Sequence, residues 1–151
     1  MNDAQPTAVD ALIDAVNRHD LDAIVDRFSA DVRSETPAHP ARNFVGREQV
    51  ARNWEQILGS IRDLEARILA SATTPQRPDG RETVWAEIAF DGHRPDGGPW
   101  RMRGVTVNEV VDGRIAALRF YLEPVEDAGP DADGAARALT AAAAATAGGP
   151  R

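Results

Sequence analysis

The chain has 151 residues, 42% of them hydrophobic and 27% charged, with a net charge of −7. That length suits one domain with its own core and falls short of two, and the acidic balance argues against a nucleic-acid surface, which draws on clustered Lys and Arg. Cysteine and lysine are both absent, which excludes disulfides, thiolate chemistry, Schiff bases and a Walker-type phosphate loop.

In chain order, the first helix is expected over residues 7–18. Thr7 caps it, Asp10 stands where a capping-box acid belongs, and Val9, Leu12, Ile13 and Val16 recur on one face. Asp20 caps a second, short helix carrying Leu21, Ile24, Val25 and Phe28 at the same spacing, followed by a tight exit and a brief strand up to Pro37. A third helix opens after Gly46 with Val50, Trp54, Ile57, Leu58 and Ile61 along its buried stripe.

The remainder reads as strands. Residues 64–72 alternate apolar and polar, and further runs are expected at 82–90, 100–111 and 114–122. Asp112-Gly113 marks a hairpin between the last two, and Arg-Pro-Asp-Gly occurs at both 77–80 and 94–97 as turn chemistry. Helices followed by a meandering antiparallel sheet give an α+β class. The domain is expected to span residues 1–126. Residues 127–151 are mostly Ala, Gly, Pro and Asp with one large apolar residue, Leu139, and read as a mobile tail in which 133–146 form at most a marginal alanine-rich helix.

No apolar run approaches the ~20 residues of a membrane span. The N-terminus lacks the basic-then-apolar layout of a signal peptide, so a cytoplasmic location is expected. The Ala- and Arg-rich, Lys-free usage suggests a bacterial genome rich in GC.

The segments Asp20–Pro37 and Gly46–Trp54, supported by Asp112-Gly113-Arg114-Ile115 and Arg119-Phe120-Tyr121, resemble ketosteroid isomerases and their SnoaL-like relatives in the nuclear transport factor 2-like superfamily. The resemblance runs from about Val9 to Glu126. It implies a cone-shaped, curved antiparallel sheet wrapped around three N-terminal helices, with a deep apolar pocket for a small hydrophobic ligand and no cofactor. In the isomerases a carboxylate base, a tyrosine and a protonated aspartate do the chemistry. Those positions fall here on Thr36, Leu12 and Val105, and a supporting tyrosine falls on Trp54. The acid–arginine–acid set of limonene epoxide hydrolases falls on Phe120, Ala86 and Ile88. Both sets of chemical groups are missing, so ketosteroid isomerase activity is not expected.

If Val105 faces the cavity, as the resemblance implies, strand alternation brings Arg103 and Val107 with it. The same wall then takes Val84, Ala86, Ile88, Leu118, Phe120 and Leu122, with Leu12, Val16, Thr36 and Trp54 from the helices and first strand. Arg103 is the one charged member. It could bind a carboxylate or polarise a carbonyl, or it could reach water or pair with an acid. His39, in the loop after the first strand, is the best surviving general base, with a solvated loop histidine as the alternative. His19 reads as a local cap or surface residue, and the three histidines do not make a metal site.

The opposite face gathers Trp85, Glu87, Gly104, Thr106, Arg119, Tyr121 and Glu123, and the resemblance implies a homodimer through it. Ion pairs Glu87–Arg119 or Arg119–Glu123 are the structural alternative. A one-residue bulge would exchange the faces and turn Glu87, Tyr121 and Glu123 into an acid/base set inside the pocket. Two functions stand at this level. One is a cofactor-independent isomerase, cyclase or hydrolase, and the other is a non-catalytic ligand-binding or dimerisation module.

Overall fold

The computed structural model describes residues 5–147, with side chains described to residue 141, so the ends of the expected domain and tail, residues 1–4 and 148–151, lie outside the described residues. Helix α1 spans Ala8–Asn17 and begins with the expected capping box: Asp10 N–H donates to Thr7 Oγ1 at 3.1 Å, and Thr7 N–H donates to Asp10 Oδ2 at 2.7 Å. Asp20 caps α2, Leu21–Asp26, by accepting from Ala23 N–H at 3.1 Å. Phe28 is not helical as the spacing predicts. It opens strand β1, Phe28–Glu35, because α2 ends after six residues.

A 3₁₀ turn at Pro40–Arg42 leads to the two-residue strand β2, Phe44–Val45, and then to α3, Arg47–Ser60. Four long strands follow: β3 Glu65–Thr73, β4 Arg81–His93, β5 Pro99–Val111 and β6 Arg114–Pro124. Both Arg-Pro-Asp-Gly stretches close turns, with Gly80 N–H bonded to Arg77 C=O and Gly97 N–H to Arg94 C=O, each at 2.9 Å. Asp112 and Gly113 take φ of 51° and 76°, the pair of positive angles that a two-residue hairpin of matching twist requires.

The strands form one sheet in the order β2-β1-β6-β5-β4-β3. The meander β3–β6 is antiparallel as expected, and β1 joins it at one parallel seam with β6. The polypeptide reaches β1 before the meander exists, and β6 returns alongside it in the same direction. Val9, Ile13, Val16, Ile24, Val32, Leu64 and Ile115 fill the space between the helices and one sheet face. Asn17 ties α1 to β3 in both directions: its Nδ2 donates to Ala66 C=O at 2.9 Å, and its Oδ1 accepts from Ala66 N–H at 2.7 Å. His19 is more than a surface residue, since its Nε2 lies 2.9 Å from Leu64 C=O and pins the helix exit to the start of β3.

The decisive register is that of β5 on β6. Val110 stands opposite Ile115 and Glu109 opposite Ala117, which leaves Ala116 as an extra residue in β6. Every pairing beyond it is displaced by one position, so Asn108, Thr106 and Gly104 face Leu118, Phe120 and Leu122. Gly104 is needed where it sits: a Cβ there would lie 2.1 Å from the Tyr121 carbonyl oxygen and 2.7 Å from Leu122 Cα.

Past the sheet, α4 spans Ala132–Ala147. The alanine-rich stretch is therefore helical, and Leu139 is 76% exposed, in keeping with the lack of an apolar stripe in its sequence. No helix among the described residues is long and apolar enough to cross a membrane.

Candidate functional site

A cavity of about 250 Å³ opens between α3, the β1–β2 segment and the far ends of β4, β5 and β6. The helical period turns Val50, Asn53, Trp54 and Ile57 of α3 toward it, while β1 contributes Ser34, with Thr36 just beyond. Phe90 from β4, Trp100 and Met102 from β5, and Leu118 and Phe120 from β6 supply the sheet wall; Phe28, Arg42 and Phe44 complete it. The protein has four Phe, three Trp and one Tyr, and all four Phe and two of the Trp lie in this wall. Trp54 meets Phe90 edge-on at 6.0 Å between ring centroids and 69° between planes, and Phe90 lies 6.3 Å from Trp100, spacings at which aromatic quadrupoles attract.

Among the sequence-derived pocket residues, Thr36, Trp54, Leu118 and Phe120 line this cavity. Leu12, Val16, Val84, Ala86, Ile88 and Leu122 lie on the interior side as expected but are absent from the wall. They pack against one another, because α1 fills its half of the interior with Val9, Ile13 and Val16 and leaves no space there.

Strand β5 requires a correction. Val84, Ala86, Ile88 and Phe90 stand opposite Asn108, Thr106, Gly104 and Met102, and directly opposed residues share a face. Arg103, Val105 and Val107 therefore point away from the cavity, and Gly104 and Thr106 point inward. The misassignment starts from the inward position that the resemblance implies for Val105; the hairpin counted without the Ala116 bulge then pairs that face with Leu118, Phe120 and Leu122, which do point inward. The bulge does not exchange the two faces wholesale. Glu87, Tyr121 and Glu123 remain on the outer face, opposite Val105, Val105 and Arg103 respectively.

Arg103 is paired there. Its Nη2 lies 2.9 Å from Asp91 Oδ1, and its Nη1 donates to the carbonyls of Phe90 and Met102, each at 2.9 Å. That hydrogen bond, helped by Arg67 at 3.2 Å, holds the Asp91 carboxyl below its ordinary value of 3.8 against a smaller opposing effect of burial. Two further carboxyls are held low in the same way, Asp26 by Arg114 and then Arg27, and Asp63 by His93 at 2.6 Å.

His39 does not line the cavity. Its Nε2 lies 3.0 Å from Glu123 Oε1, and both side chains are exposed. The expected Glu87–Arg119 and Arg119–Glu123 pairs are not among the ion pairs of the described residues, and Glu123 is paired with His39 instead. Trp85 and Tyr121 are each 44% exposed on this face.

The sequence reading missed Phe28, Ser34, Arg42, Phe44, Asn53, Phe90, Trp100 and Met102 as wall residues. Phe90 was within reach, being the next interior position after Val84, Ala86 and Ile88. Val50 and Ile57 share the α3 stripe with Trp54 and were placed as core, although they also border the space. Arg42 carried no local signal, because its position depends on the turn at Pro40–Arg42.

A family model for the SnoaL-like domain matches residues 9–118. No curated protein matches the chain at a significant level. Solved structures share the fold. A Catenulispora acidiphila protein of ketosteroid isomerase-like fold, in complex with trimethylamine, is 20% identical at a TM-score of 0.61, covering 77% of this chain and 85% of its own. A Mycobacterium tuberculosis protein in complex with estradiol-17beta-hemisuccinate is 20% identical at a TM-score of 0.63, covering 76% and 89%. A nuclear transport factor 2-like protein from Exiguobacterium is 16% identical at a TM-score of 0.62, covering 81% and 100%.

Proposed function

The chain belongs to the SnoaL-like domain family, and from that premise we propose that its cavity binds a small hydrophobic molecule without performing acid/base chemistry on it. The observation that carries this reading is the wall itself, aromatic and aliphatic with no Asp, Glu or His among the described lining residues. Moving a proton near neutral pH takes a group that can accept and release it within hydrogen-bond reach of the ligand. Ser34 and Thr36 cannot do so unaided, and the guanidinium of Arg42 donates hydrogen bonds but offers no acceptor. The small-molecule complexes of the Catenulispora and Mycobacterium relatives support a ligand-holding role for the cavity. The test is a Δ5-3-ketosteroid isomerisation assay on purified protein. The expected rate is indistinguishable from background, and clear turnover would overturn the assignment.

The enzymatic alternative, an isomerase, cyclase or hydrolase, rests on the His39–Glu123 contact at 3.0 Å. A carboxylate can orient an imidazole, but neither residue belongs to the cavity wall. Replacing His39 with Gln would abolish activity toward any substrate found if this alternative held.

The outer face supports a homodimer. Two exposed aromatics, Trp85 and Tyr121, flank Val105 and Val107, and aromatic residues are enriched where proteins meet. The expected result at micromolar concentration is sedimentation as a dimer, shifted toward monomer by Trp85→Glu.

A further inference from the structure

The polar side chains of the cavity wall can all donate a hydrogen bond, and none is a carboxylate. Arg42 is the wall's only charged residue, and Ser34, Thr36, Asn53 and the indole N–H groups of Trp54 and Trp100 are its other side-chain donors. Apart from Asn53, whose Oδ1 accepts from Gln49, none of these side chains is hydrogen-bonded to another described residue, and none is buried without a partner. These groups, on residues that line the cavity, are therefore open to water or to a ligand. Although the chain carries 24 acidic residues, none of those described lines the space, and none of the ion pairs among the described residues includes Arg42.

We propose, building on the ligand-binding reading above, that the cavity takes a flat hydrophobic carboxylic acid whose rings lie among the aromatics and whose carboxylate meets Arg42. An aromatic enclosure also suits a cation, but a cation would face a guanidinium and find no acid. A neutral ligand would leave the one charge unused. A planar fork of N–H donors matches a carboxylate with two parallel hydrogen bonds. The volume of about 250 Å³ lies just below the ~300–1,000 Å³ typical of drug-sized sites, so the buried body is one or two fused rings.

Arg42 also sits on a built loop. Thr36 N–H donates to Asn43 Oδ1 at 2.7 Å, His39 N–H to Thr36 C=O at 2.8 Å, and Arg42 N–H to His39 C=O at 2.9 Å, with Pro40 fixing the turn. Little loop ordering then remains to be lost on binding.

Calorimetric titration of the full chain with 2-naphthoate and with neutral 2-naphthamide, alike in shape, tests the proposal. Naphthoate should bind about tenfold more tightly, a modest factor because the Arg42 side chain is exposed. Arg42→Gln should remove that preference while changing naphthamide affinity less than about twofold, and Asn43→Ala should reduce it in part by loosening the loop. Equal affinity for the two probes, or an equal loss of both in Arg42→Gln, would overturn the acid preference. If such equal binding disappeared in Leu118→Trp, the hydrophobic-pocket reading would survive alone. If neither probe bound, both readings would fall.

Discussion

The two faces of β4, β5 and β6 are made by one alternation and have opposite chemistry. The inner face carries Phe90, Met102, Leu118, Phe120 and Leu122, and its one acid, Glu82, stands at the end of β4 away from the cavity, whereas the outer face carries Glu87, Asp91, Arg103, Arg119 and Glu123. A single inserted residue, Ala116, decides how they are sorted. Paired without it, β5 would set Arg103 beside Leu122 and carry a guanidinium toward the interior, where an unpaired charge is costly. With it, Arg103 meets Asp91 in partial solvent. Charge partition in this sheet is therefore a property of register as much as of composition.

The largest expected effect comes from forcing the two strands apart at their closest approach. Gly104→Ala places a methyl group 2.1 Å from the Tyr121 carbonyl oxygen, and we expect about 4 kcal/mol or more of destabilisation, at the top of the range for single substitutions. Urea unfolding measures it, and a loss under about 1 kcal/mol would show that the strands can part freely. Next is a contrast within the inner face. Leu122→Ala empties a position that is 1% exposed and should cost about 3 kcal/mol. Phe120→Ala should cost only about 1–2 kcal/mol, because that ring already borders open space and has fewer contacts to lose, yet it should weaken naphthoate binding more than Leu122→Ala does.

The smallest effect belongs to the outer face. Arg103 lowers the folded pKa of Asp91 below its ordinary 3.8, so the pair stabilises the protein above the unfolded value and its contribution fades as pH falls through the folded one. Asp91→Asn should therefore cost about 0.5–1 kcal/mol at pH 7, within the range of exposed pairs. Below about pH 3.8 it should converge on the parent in denaturant midpoint. A gap that widened on acidification would contradict the sign.

Much of this was legible from residues alone, and the failures have specific causes. The Thr7–Asp10 capping box, the α3 stripe and the Asp112-Gly113 hairpin depend on local chemistry, which a sequence displays. The interior faces of β4 and β6 followed from alternation. The face of β5 did not, because it rests on the inward position that the resemblance implies for Val105, and nothing in the run Ile115-Ala116-Ala117-Leu118 signals the bulge that sets the true register. The pocket was half legible for a different reason. Which interior positions stay open depends on how completely α1 fills its side, and that is a matter of packed volume between elements distant in sequence. Arg42 lies at the far end of that scale, since its place at the mouth depends on a turn held by Thr36 and Asn43.

The paired hydrogen bonds of Asn17 with Ala66 have a consequence for how copies of the molecule can meet. A side-chain amide offers one donor and one acceptor side by side, as a peptide group does, so at β3 it occupies the groups that a neighbouring molecule's strand would otherwise claim. Farther along, the same strand is interrupted between Ile68 and Ala70, and at the other margin β2 is two residues long. Neither border offers a long, flat template for strand addition. Growth into extended ribbons by strand addition is thereby disfavoured.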